Sequence, residues 1–169
     1  MKILHINHSD NVGGAAIAVM RIVDSLNSRG DTNNILVRIK ISENENVITI
    51  NSMPLSRLIN ALRVRIGRFI MFIFRHDMSA TNSINILSSK VIDKINLIDP
   101  DIVHIHNFNF QLTPSILPGI KKRNIKVVYT AHDSQLVCPY HRLFNFQRNE
   151  VCTKCVNSSF SNCVKDRCF

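Results

Sequence analysis

Two histidines, His106 and His132, each close an apolar run of the sequence, and each is followed by a polar residue, Asn107 or Asp133. Parallel strands that are buried on both faces read as continuous apolar runs, and ligands bind in the crevice beyond their carboxyl ends. We therefore predict that both imidazoles lie at that edge and act on a ligand. A histidine at a strand end can also be a hydrogen-bonded structural group, and we predict that role for His104, which lies inside its run.

Strands and helices alternate along the chain. The predicted strands cover residues 3–7, 35–39 and 47–50, together with the two runs that end at His106 and His132. The predicted helices cover residues 15–29, 83–96 and 114–122, with Gly30 and the pair Asp99-Pro100 as stop signals. Alternation with right-handed crossovers predicts an α/β fold, a Rossmann-like doubly wound parallel sheet, over residues 1–150. A cysteine-rich segment, residues 151–169, follows it.

The composition fits a folded protein with an anionic partner. The 169 residues are 45% apolar and carry a formal net charge of +9. This charge favours phosphates or acidic lipid as partners, whereas no nucleic-acid-binding motif is present, so we expect no nucleic acid. The first residues lack a signal-peptide pattern, which predicts a cytoplasmic protein whose five cysteines are reduced or metal-bound.

Gly13 and Gly14 lie between the first predicted strand and the first predicted helix. Glycines there allow the backbone to approach a ligand closely, and a helix start directs unpaired amide hydrogens towards an anion. A pyrophosphate would suit such a site. The pair lacks the third glycine of the dinucleotide fingerprint and the Lys-Ser/Thr of a P-loop, so a simple tight turn remains the alternative.

A basic amphipathic segment covers residues 55–75. Its apolar residues recur at helical spacing, and its unbroken apolar run, residues 69–74, is far too short to span a bilayer. Such a helix can lie on an anionic membrane surface or can be a core helix with a solvated basic face. The residues predicted to contact the membrane are Arg57, Arg63, Arg65, Arg68, Phe69 and Phe72.

Four cysteines near the end of the sequence have spacing suited to a metal. Cys152 and Cys155 form a Cys-x2-Cys pair, and Cys163 and Cys168 follow. Four thiolates can close a tetrahedral structural zinc site, while buried free cysteines are the alternative. No third group is visibly arranged to orient a cysteine and histidine pair, so catalysis by cysteine is not expected.

Several stretches together resemble the N-terminal half of family 4 glycosyltransferases, in a bacterial cell-surface polysaccharide subgroup. They are residues 1–7, the glycine loop 13–16, residues 101–107, and residues 130–139 followed by Cys152, Cys155 and Cys168. The resemblance covers essentially the whole chain. It implies the GT-B architecture, in which two Rossmann-like domains face a cleft. It also implies transfer of a sugar from a nucleotide-diphosphate donor, with retention of configuration and without a catalytic metal.

The resemblance assigns roles to individual residues. Gly13 and Gly14 would lie against the donor diphosphate and sugar, and His132 would be the catalytic residue beside the reacting sugar. His106, Asn107 and Asp133 would shape the acceptor side. The acceptor would be a glycan or a lipid-linked molecule, and the arginine-rich segment would hold the protein at the inner face of the cell membrane.

One departure from the family is large. The family's donor domain holds two glutamates separated by seven residues, and no such pair exists among Glu43, Glu45 and Glu150. We expect the donor-binding domain to lie in a longer chain or a separate one, unless the gene is truncated, and we expect no transferase activity from this chain alone. A non-catalytic module that binds a glycan or lipid-linked acceptor and a zinc-stabilised scaffold protein are the alternatives.

Overall fold

The computed structural model of the chain describes residues 1–50, 88–108, 112–134, 136–138, 142–155 and 162. These residues fall into two compact units. The first unit contains the described residues up to His132, and the second contains those from Asp133 onward. The predicted domain boundary at residue 150 stays a prediction.

A parallel sheet of five strands forms the framework of the first unit, with the strand order β3-β2-β1-β4-β5. The strands are β1 (Lys2–Ser9), β2 (Thr32–Ile39), β3 (Val47–Thr49), β4 (Ile102–Ile105) and β5 (Lys126–Tyr129). Because all the pairs are parallel, the carboxyl ends of the strands share one edge. The observed architecture confirms the predicted parallel α/β sheet of Rossmann-like type.

Helices connect the strands where the sequence predicts them. They are α1 (Gly14–Ser28), α2 (Ser88–Ile98) and α3 (Leu117–Lys121), the last continuing a 3-10 turn at Pro114–Ile116. Helix α1 ends before Gly30, whose φ of 88° suits glycine, and α2 ends before Asp99, whose amide donates to the Ile95 carbonyl at 2.8 Å. The stop signals read from the sequence are therefore confirmed.

The helices cover opposite faces of the sheet. Leu36 of β2 belongs to an apolar cluster that includes Val91 and Ile95 of α2. Its neighbours Ile35 and Val37 belong to a second cluster that includes α1. Because side chains alternate between the two faces of a strand, α1 and α2 must lie on opposite faces, as a doubly wound sheet requires.

Alternate residues of β1 show that its two faces differ. Leu4 and Ile6 belong to the apolar cluster that includes α2. His5 and Asn7 point to the opposite face and are nevertheless buried. A buried polar side chain is costly unless its hydrogen-bonding groups are satisfied, so the partners of these residues decide what this face can do.

Two strands end earlier than the sequence predicts. β4 ends at Ile105 and β5 at Tyr129. The ladder still continues for one residue after each, since the His106 amide donates to the Ile6 carbonyl at 2.9 Å and the Thr130 amide to the Ile105 carbonyl at 3.0 Å. His106 is thus in the first position beyond its strand, whereas His132 lies in the loop that follows β5.

The described part of the second unit contains a short antiparallel hairpin of β6 (Phe144–Asn145) and β7 (Glu150–Val151). The buried Asn145 side chain holds the turn, because its Oδ1 accepts the amides of Gln147 at 3.0 Å and Arg148 at 3.1 Å. The hairpin leads directly to Cys152.

Candidate functional site

Four histidines of the first unit come together beside the strand ends. His5 of β1 stands in register with His104 of β4, and His106 faces the same side two residues later. The ring centroids of His104 and His106 are 4.0 Å apart. Those of His5 and His106, and those of His106 and His132, are 5.4 Å apart. The sheet register therefore brings together residues that are far apart in the sequence.

Hydrogen bonds join three of these rings into a chain that begins in the interior. His5 Nε2 lies 3.0 Å from Asn33 Oδ1, and His5 Nδ1 lies 3.1 Å from His106 Nε2. His106 Nδ1 in turn lies 3.2 Å from His132 Nε2. His5 and His106 are completely buried, whereas His132 is exposed. The chain thus leads from a buried asparagine to an imidazole at the surface.

The buried imidazoles are neutral at physiological pH. Burial, followed by repulsion from His104, His5 and His132, lowers the pKa of His106 to about 3. Burial, followed by repulsion from His5 and His132, lowers the pKa of His104 to about 4. The pKa of His5 is also lowered by burial, which outweighs the opposing effect of its hydrogen bond to Asn33. A neutral imidazole has one N–H donor and one acceptor nitrogen, so each ring must choose a tautomer.

Because the imidazole rings are neutral and His5 bonds to Asn33, the direction of every hydrogen bond in the series is fixed. Asn33 Nδ2 lies 3.3 Å from the Asp31 carbonyl, which can only accept, so Asn33 Oδ1 must face His5. His5 therefore carries its proton on Nε2 and accepts at Nδ1, and His106 donates from Nε2 and accepts at Nδ1. His132 then donates from Nε2. In its neutral form, its Nδ1 therefore has a lone pair that points away from the series of hydrogen bonds.

His104 belongs to the cluster but not to the chain of hydrogen bonds. Its Nε2 lies 2.7 Å from Thr130 Oγ1, and its ring is only half-buried. Sequence reasoning assigned His104 a structural role and gave no role to His5. The signal that could have found both is their shared register on adjacent parallel strands, which depends on how β1 and β4 pair.

Asn107 links the ends of two strands. Its Nδ2 donates to Asn7 Oδ1 at 2.8 Å, and Asn7 Nδ2 donates to the Ser9 carbonyl at 2.8 Å. Asn107 Oδ1 is buried and has no hydrogen-bond partner among the described residues. An unsatisfied buried acceptor is costly, which makes this oxygen suited to a donor group from outside these residues.

The glycine loop contains one residue in the left-handed backbone region. Gly13 has a φ of 87°, a conformation that side chains rarely allow, and its carbonyl accepts the amides of Ala16 and Ile17. Among the described residues, no side chain caps helix α1, and its first turn contains no acidic residue. The amides of Gly14 and Ala15 therefore start the helix without an intrahelical acceptor, in a position that favours an anion.

Asp10 fixes the loop that leads to these glycines. Its carboxylate accepts the Ile41 amide at 2.9 Å and the Ser42 amide at 2.8 Å, and also the Ser42 hydroxyl. Burial alone would raise the pKa of Asp10, but the hydrogen bonds from Ser42 and Ile41 together lower it. The loop after β1 is thus tied to the segment that follows β2.

Comparison of the sequence with protein-family models gave no match, and comparison with curated proteins gave none either. Within the described residues, no helix is long and apolar enough to cross a membrane. The chemistry of the site must therefore be inferred from its geometry and from the sequence motifs.

Some predicted site residues are not brought into this cluster. Asp133 follows His132 directly but belongs to the second unit. The predicted membrane-contact residues lie outside the described residues, and so do two of the four predicted zinc ligands. These residues are Arg57, Arg63, Arg65, Arg68, Phe69, Phe72, Cys163 and Cys168.

The other two predicted zinc ligands are described. Cys155 is buried and Cys152 is half-buried, and neither forms a disulfide with another described cysteine. Within the described ranges, the one group of three metal-ligating side chains is His5, His104 and His106. A zinc site built on the cysteines stays a prediction.

Proposed function

We propose that the chain is the acceptor-side, N-terminal domain of a retaining glycosyltransferase with GT-B architecture. It would help to move a sugar from a nucleotide-diphosphate donor to a glycan or lipid-linked acceptor in surface polysaccharide synthesis. The observation that carries this proposal is the chain of hydrogen bonds that orients His132 at the carboxyl edge of the sheet, the edge that also holds the glycine turn before α1.

The start of α1 suits a diphosphate. The amides of Gly14 and Ala15 and the positive end of the helix dipole would interact with the phosphate oxygens. A Cβ built on Gly13 or Gly14 would meet no atom of the described residues within 4 Å, so these residues leave space beside this backbone. The same features would stabilise the negative charge that grows on the departing diphosphate.

His132 suits a catalytic role because its orientation is fixed while its outer nitrogen stays available. Its Nε2–H is held by His106, and in the neutral form its Nδ1 can accept a hydrogen bond from a sugar hydroxyl. If the ring is protonated, the same atom can donate to an oxygen of the leaving phosphate. Because His106 is completely buried, its contribution would act through His132 rather than by touching the acceptor.

Asn107 and Asp133 remain proposed acceptor-side residues. Asn107, whose Oδ1 is buried without a partner among the described residues, would shape the acceptor side by linking the strand ends through Asn7 rather than by touching the acceptor. The arginine-rich segment, residues 55–75, would hold the protein at the cytoplasmic face of a membrane that carries lipid-linked acceptor. The donor-binding domain would come from the same or a separate chain, and nucleic acid has no part in this proposal.

The proposal is tested in a protein that joins this chain to its donor-binding domain, assayed with a panel of radiolabelled nucleotide sugars and membrane extract as acceptor. His132→Ala should lower turnover by about 100-fold or more, the range for losing a positioned acid-base group, with the unfolding temperature unchanged. The matched control is His8→Gln, which removes a β1 histidine outside the chain of hydrogen bonds and should keep activity.

Two results would contradict the proposal. Transfer by this chain alone would show that no second domain is needed. Acceptor binding without turnover in the joined protein would instead identify a non-catalytic binding module.

A further inference from the structure

Each of three neighbouring histidines has one ring nitrogen hydrogen-bonded to a residue outside the trio. His5 Nε2 is held by Asn33, His104 Nε2 by Thr130 and His106 Nδ1 by His132. This leaves His5 Nδ1, His104 Nδ1 and His106 Nε2. One ligand atom from each of the three rings lies within 4.8 Å of the others.

One pair in this group already has nearly the spacing that a metal ion requires. Zinc binds imidazole nitrogen at about 2.0–2.1 Å, so two ligands in tetrahedral geometry lie about 3.4 Å apart. His5 Nδ1 and His106 Nε2 are already 3.1 Å apart. Binding would require the metal to replace the His5–His106 hydrogen bond and the half-buried His104 ring to move inward.

We propose that His5, His104 and His106 form a three-histidine site for a transition-metal dication, with Zn²⁺ as the preferred ion. An all-imidazole set suits zinc better than the hard ions Mg²⁺ or Ca²⁺, which prefer oxygen ligands. Three protein ligands leave a fourth position for water or a ligand.

The surroundings of the rings support this assignment. Metal-binding histidines almost always hold their second nitrogen against a carbonyl, carboxylate or similar partner, which fixes the ring orientation. Asn33, Thr130 and His132 occupy these outer positions. The lowered pKa values of the three imidazoles keep them neutral, which is the form that binds metal.

Metal binding would also change the tautomer of the exposed His132. Without metal, His106 carries its proton on Nε2 and accepts from His132. With metal on Nε2, His106 must carry its proton on Nδ1 and donate it to His132 Nε2. His132 would then carry its own proton on Nδ1, so its exposed nitrogen would change from an acceptor to a donor. This consequence follows from the hydrogen-bond geometry and does not depend on sugar transfer.

The site is tested by titrating Zn²⁺ into a tag-free chain that carries Cys152→Ser and Cys155→Ser, which removes half of the predicted thiolate set. We expect one equivalent to bind. His104→Ala should weaken binding at least tenfold, because losing a ligand costs no less than losing its outer partner. His104 is chosen because it is half-buried, so its removal should leave the fold intact.

Two further variants sharpen the result. Thr130→Val keeps all three ligands and should weaken binding by about 10- to 100-fold through the loss of an outer partner. His8→Ala should bind Zn²⁺ as tightly as the parent chain. With Co²⁺ as the probe, the parent chain should show visible ligand-field bands and no thiolate charge-transfer band.

Three outcomes would overturn the proposal: no stoichiometric binding, equal binding by His104→Ala, or a Co²⁺ spectrum with a thiolate band. Histidine NMR gives an independent readout, because Zn²⁺ should move the His132 proton from Nε2 to Nδ1. A bound metal that leaves this tautomer unchanged would contradict ligation through His106 Nε2.

Discussion

The two faces of β1 and β4 are built from alternate residues of the same short segments, yet their chemistry is opposite. One face contributes only apolar side chains, Leu4, Ile6, Val103 and Ile105, to the cluster that includes α2. The other face contributes His5, His104 and His106. Both faces are largely buried, so exposure to water does not explain the difference.

The residues that stabilise the fold are therefore separate from those that carry chemistry. Apolar burial is non-directional and stabilises by about 25 cal/mol per Å². A buried imidazole contributes little of this apolar stabilisation. It lowers the stability of the fold if either ring nitrogen loses its hydrogen-bond partner. Placing the three rings on the strands that build the core, or one residue beyond them, puts the site on rigid elements, which is how a binding constellation is held in position.

The largest effect should come from truncating the apolar face. Leu4→Ala should lower the free energy of unfolding by about 2–5 kcal/mol, because Leu4 is completely buried and a cavity would remain. Thr130→Val, which removes one hydrogen bond from the imidazole face, should cost only about 0.5–1.5 kcal/mol. Chemical denaturation with a chelator present measures both. Equal losses of unfolding free energy in the two variants would mean that the apolar face is not the main source of stability.

A smaller effect should appear in the pH dependence of stability on the imidazole face. The folded pKa values of His106 (about 3) and His104 (about 4), and that of His5, lie below the ordinary value of 6.5. Below pH 6.5 the unfolded chain therefore binds more protons than the folded chain. The contribution of these imidazoles to the free energy of unfolding is complete above pH 6.5 and is lost as the pH drops towards 4. Each such imidazole contributes at most about 1.4 kcal/mol per pH unit.

The measurement compares unfolding of the metal-free wild type and of His106→Gln between pH 7 and pH 5. The variant should show a shallower slope. His8 also has a pKa lowered by burial and then by Arg38, but it is present in both proteins and does not affect the difference. The lowered pKa of Asp10 acts below its ordinary value of 3.8, outside this range. Equal slopes would show that His106 is not held neutral.

The sequence predicted most of the fold because local signals agreed. Apolar runs marked the strands, and Gly30 and Asp99-Pro100 marked two helix ends. The length of β5 was predicted less well. His132 was expected at the strand end and instead lies in the following loop, since the described ladder stops after Thr130. Strand length depends on pairing with a neighbour, which a run of residue types does not specify.

The site was harder to predict than the fold. His106 and His132 could be found because each closes an apolar run, but His5 and His104 sit inside strand patterns where a histidine looks structural. Their association depends on the register of β1 against β4, and His5 and His106 are 101 residues apart in the sequence. His106 is proposed to act through His132 because it is buried, and this burial is likewise a property of the folded sheet.

The central claim is that a directional chain of neutral imidazoles orients His132. Histidine NMR of the metal-free chain at neutral pH tests it most directly, because ring-nitrogen shifts distinguish the two tautomers and the imidazolium ion. We predict that His5, His106 and neutral His132 carry their proton on Nε2, and that Asn33→Leu, which removes the terminal acceptor, disturbs the His5 and His106 tautomers together. Imidazolium at His106, or a proton on Nδ1 of His5, would contradict it.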